Sequence, residues 1–493
     1  AAPALGLGMC QVGEMNFEAM RDRFLLEDNQ ELLVSIWGGA LTEHMRERRS
    51  EAAAASDTPK SRAVSDEIVK DCAGGGLVTA PGEPIAVVGF SALLPGADTP
   101  APASSVTSFA HLLESSVSAL GPVPAQRWSP LKTHSRRPGA EVGGYLKDVS
   151  SCEAEEFGLT KQEIAATDPQ ERLLLTTARW CFEDAGVVPN QPGFDQRVGV
   201  FVGAMWADHA LYGVSARAHG STGTYANRAG LAHRLSHAFG LTGPSMVIDS
   251  ACVSGAAAFD AAMRALRAGQ CSAALVGAAN LVLHPDHLNV LTALGLLAKD
   301  PDSCPLTDQA NGWIVGEGIG AALLKPLSKA LADGDPIRAV LRGSAVQHAG
   351  RTRQFGLPSR ACQEATMRSA LADAGLRPQA VGYVEAAAAG AALGDSIEVQ
   401  AVANVFGGSE VLMGSVKPVV GHLEAASIFA QMAKVICQLQ THNLYPVLRS
   451  SGATTVTTPS SVRLVTKPTV WPASTDESGR SQVRALINTV AGT

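Results

Sequence analysis

Aromatic residues are scarce in this 493-residue chain, only 5% of it, and no apolar run approaches the roughly 20 residues that a membrane-crossing helix needs. No membrane span is therefore expected. Blocks of basic residues interleaved with aromatics are missing as well, and the net charge is −7, which argues against a nucleic-acid partner. The nine cysteines are scattered, without a CxxC pair or a Cys/His spacing suited to zinc, so neither a disulfide framework nor a metal site is expected. That usage fits a reducing compartment: the cytoplasm, or an organelle matrix if a targeting segment has been removed. The opening AAPALGLGMC has neither an initiator Met nor a signal-peptide pattern and reads as a processed or trimmed start.

What is present is a chain with 46% apolar residues and 49 glycines, long enough for several units of roughly 150 residues or for one large α/β enzyme. Residues 1–50 read as a helical extension, with Leu25, Leu32, Leu33 and Ile36 at near-helical spacing. Two readings of that helix stand, a partner-docking element and a helix lying on its own domain. Residues 51–82 turn to Ala, Ser, Asp, Lys and Gly and read as a linker. The main domain, 83–493, opens on the strand-like PIAVVGFSALLPG and continues through RVGVFVGA (197–204), SMVID (245–249), AALVGAANLVL (273–283) and IGAALLKPL (319–327). A helix is predicted over 169–186. A second β/α series is predicted to begin at IRAVLRGSAV (337–346), followed by helix 363–374, strand 381–386, helix 395–405 and strand 410–417. The fold class is therefore α/β, in two similar halves of about 83–330 and 331–493.

The strongest chemical signal is SMVIDSACVSGAAAFDAAMRAL (245–266), where an apolar strand runs through a tight segment holding Cys252 into a helix of small residues. A sulfur at a helix N-terminus is favoured as thiolate, the form a nucleophile requires. A cysteine among Ala and Ser also reads as a small buried hydrophobe. The glycines of GEGIG (316–320) lack the strand–turn–helix context of a dinucleotide site, and that reading is rejected.

The neighbouring strings decide between the two readings of Cys252. The segment around it resembles the active-site string DTACSSS of β-ketoacyl synthases. Residues 83–493 follow the landmark order of ketosynthases from modular polyketide and multidomain fatty-acid synthases: EPIAVVGFSALLPGA (83–97), VPAQRW (123–128), GGYLKDV (143–149), ATDPQERLLL (166–175), EDAG (183–186), GLTGPS (240–245), VGEG (315–318), LGDSIE (393–398) and GSVKPVVGHLEAAS (414–427). The resemblance implies a five-layered αβαβα thiolase fold and a homodimer, or pairing with a related subunit. It implies that Cys252 takes an acyl chain from the phosphopantetheine arm of an acyl carrier protein, with no bound cofactor. By position, His422 is the second histidine of the family's triad and Lys417 the lysine that orders the site.

The departures gather around the same pocket. Where the family reads EAHGTGT this chain reads EAAAAGA (385–391), so Ala387 stands for the first histidine and Ala389 and Ala391 for the two threonines that bond the pantetheine arm. Methyl groups neither stabilise an enolate oxygen nor anchor an amide. Val419 stands where Asn is usual, Ile428 where Gly is usual, and Val315 replaces a polar residue or Pro before GEG. Leu306-Thr307 replaces Phe-Asp, and Val490 and Ala491 replace Phe and Gly of the loop that gates the pocket. The chain stops at Thr493, before the family's last strand. Three functions are open on this basis: acyl transfer through Cys252 without decarboxylative elongation, a catalytically silent structural subunit of a synthase or other large assembly, and condensation with a substitute base such as His348.

Overall fold

The computed structural model describes residues 82–96, 102–127, 142–150, 157–218, 227–352, 356–408, 410–450, 452–472, 474–475 and 481–491. These fall within one unit, Val78–Thr493. The helical extension expected over 1–50, and all but the end of the linker expected over 51–82, lie outside the described residues.

Two sheets organise the chain. The first contains β1 (Ile85–Leu93), β2 (Val198–Gly203), β3 (Ser245–Ile248), β4 (Ala273–Asn280), β5 (Gly318–Pro326) and β6 (Ala339–Leu341), in the order β3-β2-β4-β5-β1-β6. β2 is parallel to β3 and β4, while β5 is antiparallel to both β4 and β1. The second sheet is wholly parallel, β9 (Val462–Leu464), β8 (Val411–Gly414), β7 (Tyr383–Glu385) and β10 (Ala485–Ile487) in that order across the sheet.

The central strands β1, β2, β4 and β5 are mostly apolar because both faces are covered, which removes any inside–outside alternation. In β1, Ala86 and Val88 enter the core under helices α2 (Pro169–Asp184) and α3 (Gly230–Phe239), whereas Ile85 and Val87 face helices α4 (Ser254–Arg267) and α8 (Ser427–Thr441). On the second sheet, Val384 and Met413 pack beneath α6 (Arg360–Asp373) and α7 (Ala392–Phe406), and Tyr383 and Leu412 face Val435 of α8. The layers are thus helix, sheet, helix, sheet, helix, the αβαβα arrangement. Local chemistry starts α2 as the sequence suggests, since Asp168 accepts the Gln170 N–H at 2.8 Å and Pro169 takes the first helical position.

Two expectations need correction. Of 337–346, only Ala339–Leu341 forms a strand, and it pairs antiparallel with Ile85–Val87 at the edge of the first sheet. The residues after it are drawn elsewhere, Arg342 C=O accepting from Arg267 and Ser344 N–H donating to Asp373. The strand expected over 410–417 ends at Gly414; Lys417–Val420 is a helical turn, with Pro418 near its start and the Val416 N–H donated to Glu385. No described helix is long and apolar enough to cross a membrane.

Candidate active site

Cys252 sits between the end of β3 and the start of α4. The preceding residue, Ala251, is at φ 54°, in the left-handed region where a side chain is strained. The Ser254 hydroxyl holds the turn, donating to Ala251 C=O and accepting the Ser250 N–H at 2.9 Å. This is the strand–nucleophile–helix geometry in which a reactive atom projects from a tight corner. α8 packs close behind it: a Cβ on Gly255 would lie 2.7 Å from Ile428 Cγ2 and 2.5 Å from Ala425 C=O, so only glycine fits there. Cys252 is 4% exposed and packs with Tyr145, Val282, Trp313 and Val315, with Trp206 and Ala389 against the same cluster.

His422 follows Gly421, which is at φ 81°. Its main chain is captured from the first half of the fold, its N–H donating to Ile314 C=O at 2.7 Å and its C=O accepting the Gly316 N–H at 2.8 Å. The imidazole lies against the Trp313 ring, centroids 4.5 Å apart. Burial, reinforced by the charge of Lys417, pushes it well below the usual histidine range, so it is neutral. Its Nδ1 accepts the Glu424 N–H at 2.9 Å. The proton of the neutral ring therefore resides on Nε2.

Lys417 is buried, and its ammonium donates to Ala387 C=O. Burial lowers its pKa, while Glu398, Glu385, Cys252 and Asp395 oppose that shift. The lysine thus senses both the nucleophile and the 385–391 loop. Two acids on α7 hold that loop: Glu398 accepts the N–H groups of Ala387 and Ala388, both at 2.8 Å, and Asp395 accepts those of Gly390 at 3.2 Å and Leu306 at 2.9 Å. The C-terminal end joins in through Asn488, whose amide donates to Glu398 at 2.6 Å. Ala491 packs against the Cys252 cluster.

The structure therefore gathers Cys252, His422, Lys417 and Ala387 around one region, with Ala389 beside it. Val419 instead packs in the core between the sheets. Ile428 presses on the first turn of α4 and lines a cavity of about 950 Å³ that also borders Val490 and β10. Neither Cys252, Lys417, His422 nor Ala387 lines that cavity. His348 does, exposed and accepting the Gly350 N–H at 2.9 Å, which separates it from the role of substitute base. Ala391 is exposed at the N-cap of α7, with φ −90°, ψ 111° and no side-chain cap. Ala391→Ser is expected to stabilise the protein by about 0.5–2 kcal/mol by capping that helix, measured as a shift in the urea midpoint. An unchanged midpoint would show that the first turn of α7 is already satisfied by solvent.

Residues that lie within the landmark strings carry much of the framework. Glu398 and Asp395 come from LGDSIE, Glu317 from VGEG and Glu424 from HLEAAS, whereas Trp206 and His287 lie outside every landmark string. Their partners lie far away in sequence, so no local pattern marks them.

Comparison with known proteins agrees with the geometry. Residues 82–330 match the family described as beta-ketoacyl synthase, N-terminal domain, and residues 338–451 match beta-ketoacyl synthase, C-terminal domain. The chain is similar to the highly reducing polyketide synthase srdA of Neurospora crassa, 35% identical over 89% of this chain and 19% of that one. It is 38% identical to polyketide synthase GfsA of Streptomyces halstedii over 76% of this chain and 5% of that protein. It thus spans less than a fifth of the length of these two relatives. Among solved structures, the oxazolomycin ketosynthase domain OzmH KS7 of Streptomyces albus superposes with a TM-score of 0.73 at 33% identity, covering 82% of this chain and 71% of that one. A ketosynthase from module 6 of the bacillaene synthase of Bacillus subtilis gives 0.68 at 28% identity, covering 79% and 67%. Sequence landmarks, layered fold and cysteine corner thus converge, and the chain belongs to the β-ketoacyl synthase family as a ketosynthase domain of the modular polyketide synthase type.

Proposed function

We propose that this domain accepts acyl groups from the phosphopantetheine arm of an acyl carrier protein onto Cys252 and passes them on without decarboxylative elongation. The transfer is a thioester exchange: Cys252 ionises, its sulfur bonds the acyl carbon as the pantetheine C–S bond breaks, and the departing pantetheine sulfur takes up the proton that Cys252 released; the same exchange with an acceptor thiol passes the acyl group on. One observation carries the reading. Ala387 has its N–H committed to Glu398 and its C=O occupied by Lys417, so the position offers a methyl group and no donor for an enolate. Acylation does not need that donor. It needs a nucleophile at a helix start and a neutral imidazole nearby, and the position of Cys252 before α4 and the lowered pKa of the buried His422 support that reading.

Incubation with a panel of acyl thioesters should add one acyl mass to the intact protein, and Cys252→Ser should abolish the adduct. No adduct on Cys252 with any thioester would favour the second reading, a structural subunit. That reading is supported by how closed the site is: Cys252, His422 and Ala387 are each at most 4% exposed.

We also propose pairing with a second copy through β3. This strand is the edge of the first sheet, its outer side has no strand partner among the described residues, and Met246 on it is 42% exposed. An antiparallel match of two such edges across a two-fold axis would continue the sheet. Sedimentation should report a dimer at micromolar concentration, and Met246→Lys should shift it toward monomer. A monomeric parent chain would refute the pairing.

A further inference from the structure

Behind the cysteine corner lies a second buried set of titratable groups that the transfer chemistry does not use. His287, on α5 (Pro285–Ala293), is fully buried with a carboxylate at each ring nitrogen: Nδ1 is 3.0 Å from Asp208 Oδ2 and Nε2 is 2.8 Å from Glu424 Oε1. Two acceptors on one ring require both nitrogens to be protonated, so the ring is an imidazolium. Burial pulls its pKa down, but the paired acids outweigh burial and raise it to about 10. The assembly is tied at both ends. Asp208 Oδ2 also accepts the Leu283 N–H at 3.0 Å and the His284 N–H at 3.3 Å, and Glu424 Oε2 accepts the Trp206 indole N–H at 2.7 Å. The indole also stacks on the His287 ring at 4.0 Å and packs against the Cys252 cluster.

Glu424 links this cluster to the active site. Its backbone is in the left-handed region, φ 45°, which a glutamate does not adopt without constraint. In that conformation its N–H points at His422 Nδ1, 2.9 Å away, and this bond, beside the Ser427 hydroxyl 3.1 Å from the same nitrogen, favours the Nε2–H tautomer of His422. Among the described residues the carboxylate is anchored by His287, Trp206 and a longer contact from Asn280 at 3.4 Å, and the Glu424 C=O accepts the Ser427 N–H; the side-chain anchors oppose relaxation of that turn.

We infer that His287 is a positioning residue for His422: by clamping the Glu424 side chain it holds the Glu424 N–H on Nδ1 and so keeps the donor proton on Nε2. Asp208 is the counter-anchor that fixes the His287 ring. The inference meets the acyl-transfer reading only in its rate measurement.

The test is ¹⁵N NMR of the histidine-labelled chain, which distinguishes the two tautomers through the nitrogen shifts, with His422→Gln used for assignment. The wild type should show His422 as a single Nε2–H species. His287→Leu should convert it to a mixture, because the unpaired Glu424 leaves its strained conformation. His287→Gln, which still reaches one carboxylate, should sit between the two. If His287→Leu does not fold, Trp206→Phe removes the other main anchor and should shift the tautomer in the same direction. In any folded variant that takes acyl groups, transfer to Cys252 should fall about 10- to 100-fold, the range typical when a partner that orients a functional imidazole is removed, with KM little changed. A folded His287→Leu or Trp206→Phe variant with unchanged His422 nitrogens would reduce the cluster to a structural role and overturn the inference. Failure of acylation in the wild type would instead count against the transfer reading and leave the tautomer measurement intact.

Discussion

Given a malonyl carrier protein, the chain is expected to release no carbon dioxide above the buffer rate, even when Cys252 carries an acyl group. Decarboxylation places negative charge on an enolate oxygen, and a preorganised donor at that oxygen is commonly worth about 10²–10³ in rate. Ala387 has none to give, because its methyl is inert and its peptide groups are already bonded to Glu398 and Lys417. Ala387→His alone should recover less than about tenfold. The new ring must enter a position only 4% exposed, and Ala389 and Ala391 still cannot bond a pantetheine arm. Adding Ala389→Thr and Ala391→Thr should recover more than the single change. The readout is carbon dioxide trapped from labelled malonyl carrier protein. Robust release by the unmodified chain would end the non-elongating reading.

Arg127→Ala is expected to destabilise the domain by about 3–5 kcal/mol, the usual cost of removing one partner of a buried ion pair. The guanidinium grips Glu317 with two bonds, 2.9 and 2.7 Å, with side-chain exposures of only 6% and 0%. Glu317 also accepts the N–H groups of Leu146 at 2.8 Å and Val282 at 2.9 Å, beside the wall that carries Val315. Burial already raises the Glu317 pKa, and Arg127 is the main opposing influence. Without that cation the folded carboxyl would titrate further above its unfolded value. Stability gained from holding the proton would be present at acid pH and lost as pH rises through the folded pKa. Urea midpoints across pH should therefore fall more steeply toward neutrality in the variant than in the parent. Arg127→Met combined with Glu317→Gln should cost less than the sum of the two single changes. A shift below about 1 kcal/mol would mean that solvent reaches the pair.

The sheets were legible in the sequence because strands covered on both faces spell themselves as apolar runs, as in IAVVGFSAL and AALVGAAN. The destination of 339–341 was not legible, since a strand's partner depends on which edge is open and not on its own residues. The cysteine corner could be read from SMVIDSACVSG, and the methyl side chain at Ala387 from one string. The 385–391 loop hides a further feature: Ala388 is at φ 36°, a left-handed conformation that alanine does not announce as glycine would. His287 escaped notice because its partners are 79 and 137 residues away, and a histidine on a helix looks the same in sequence whether it faces water or two carboxylates.

The main chain of His422 is hydrogen-bonded to Ile314 and Gly316, while Lys417 is bonded to Ala387. The imidazole is therefore delivered by one half of the chain into a seat built by the other. A partly assembled molecule can own the thiol and lack its partner imidazole. Acylation of Cys252 is therefore expected to require both halves closed on each other.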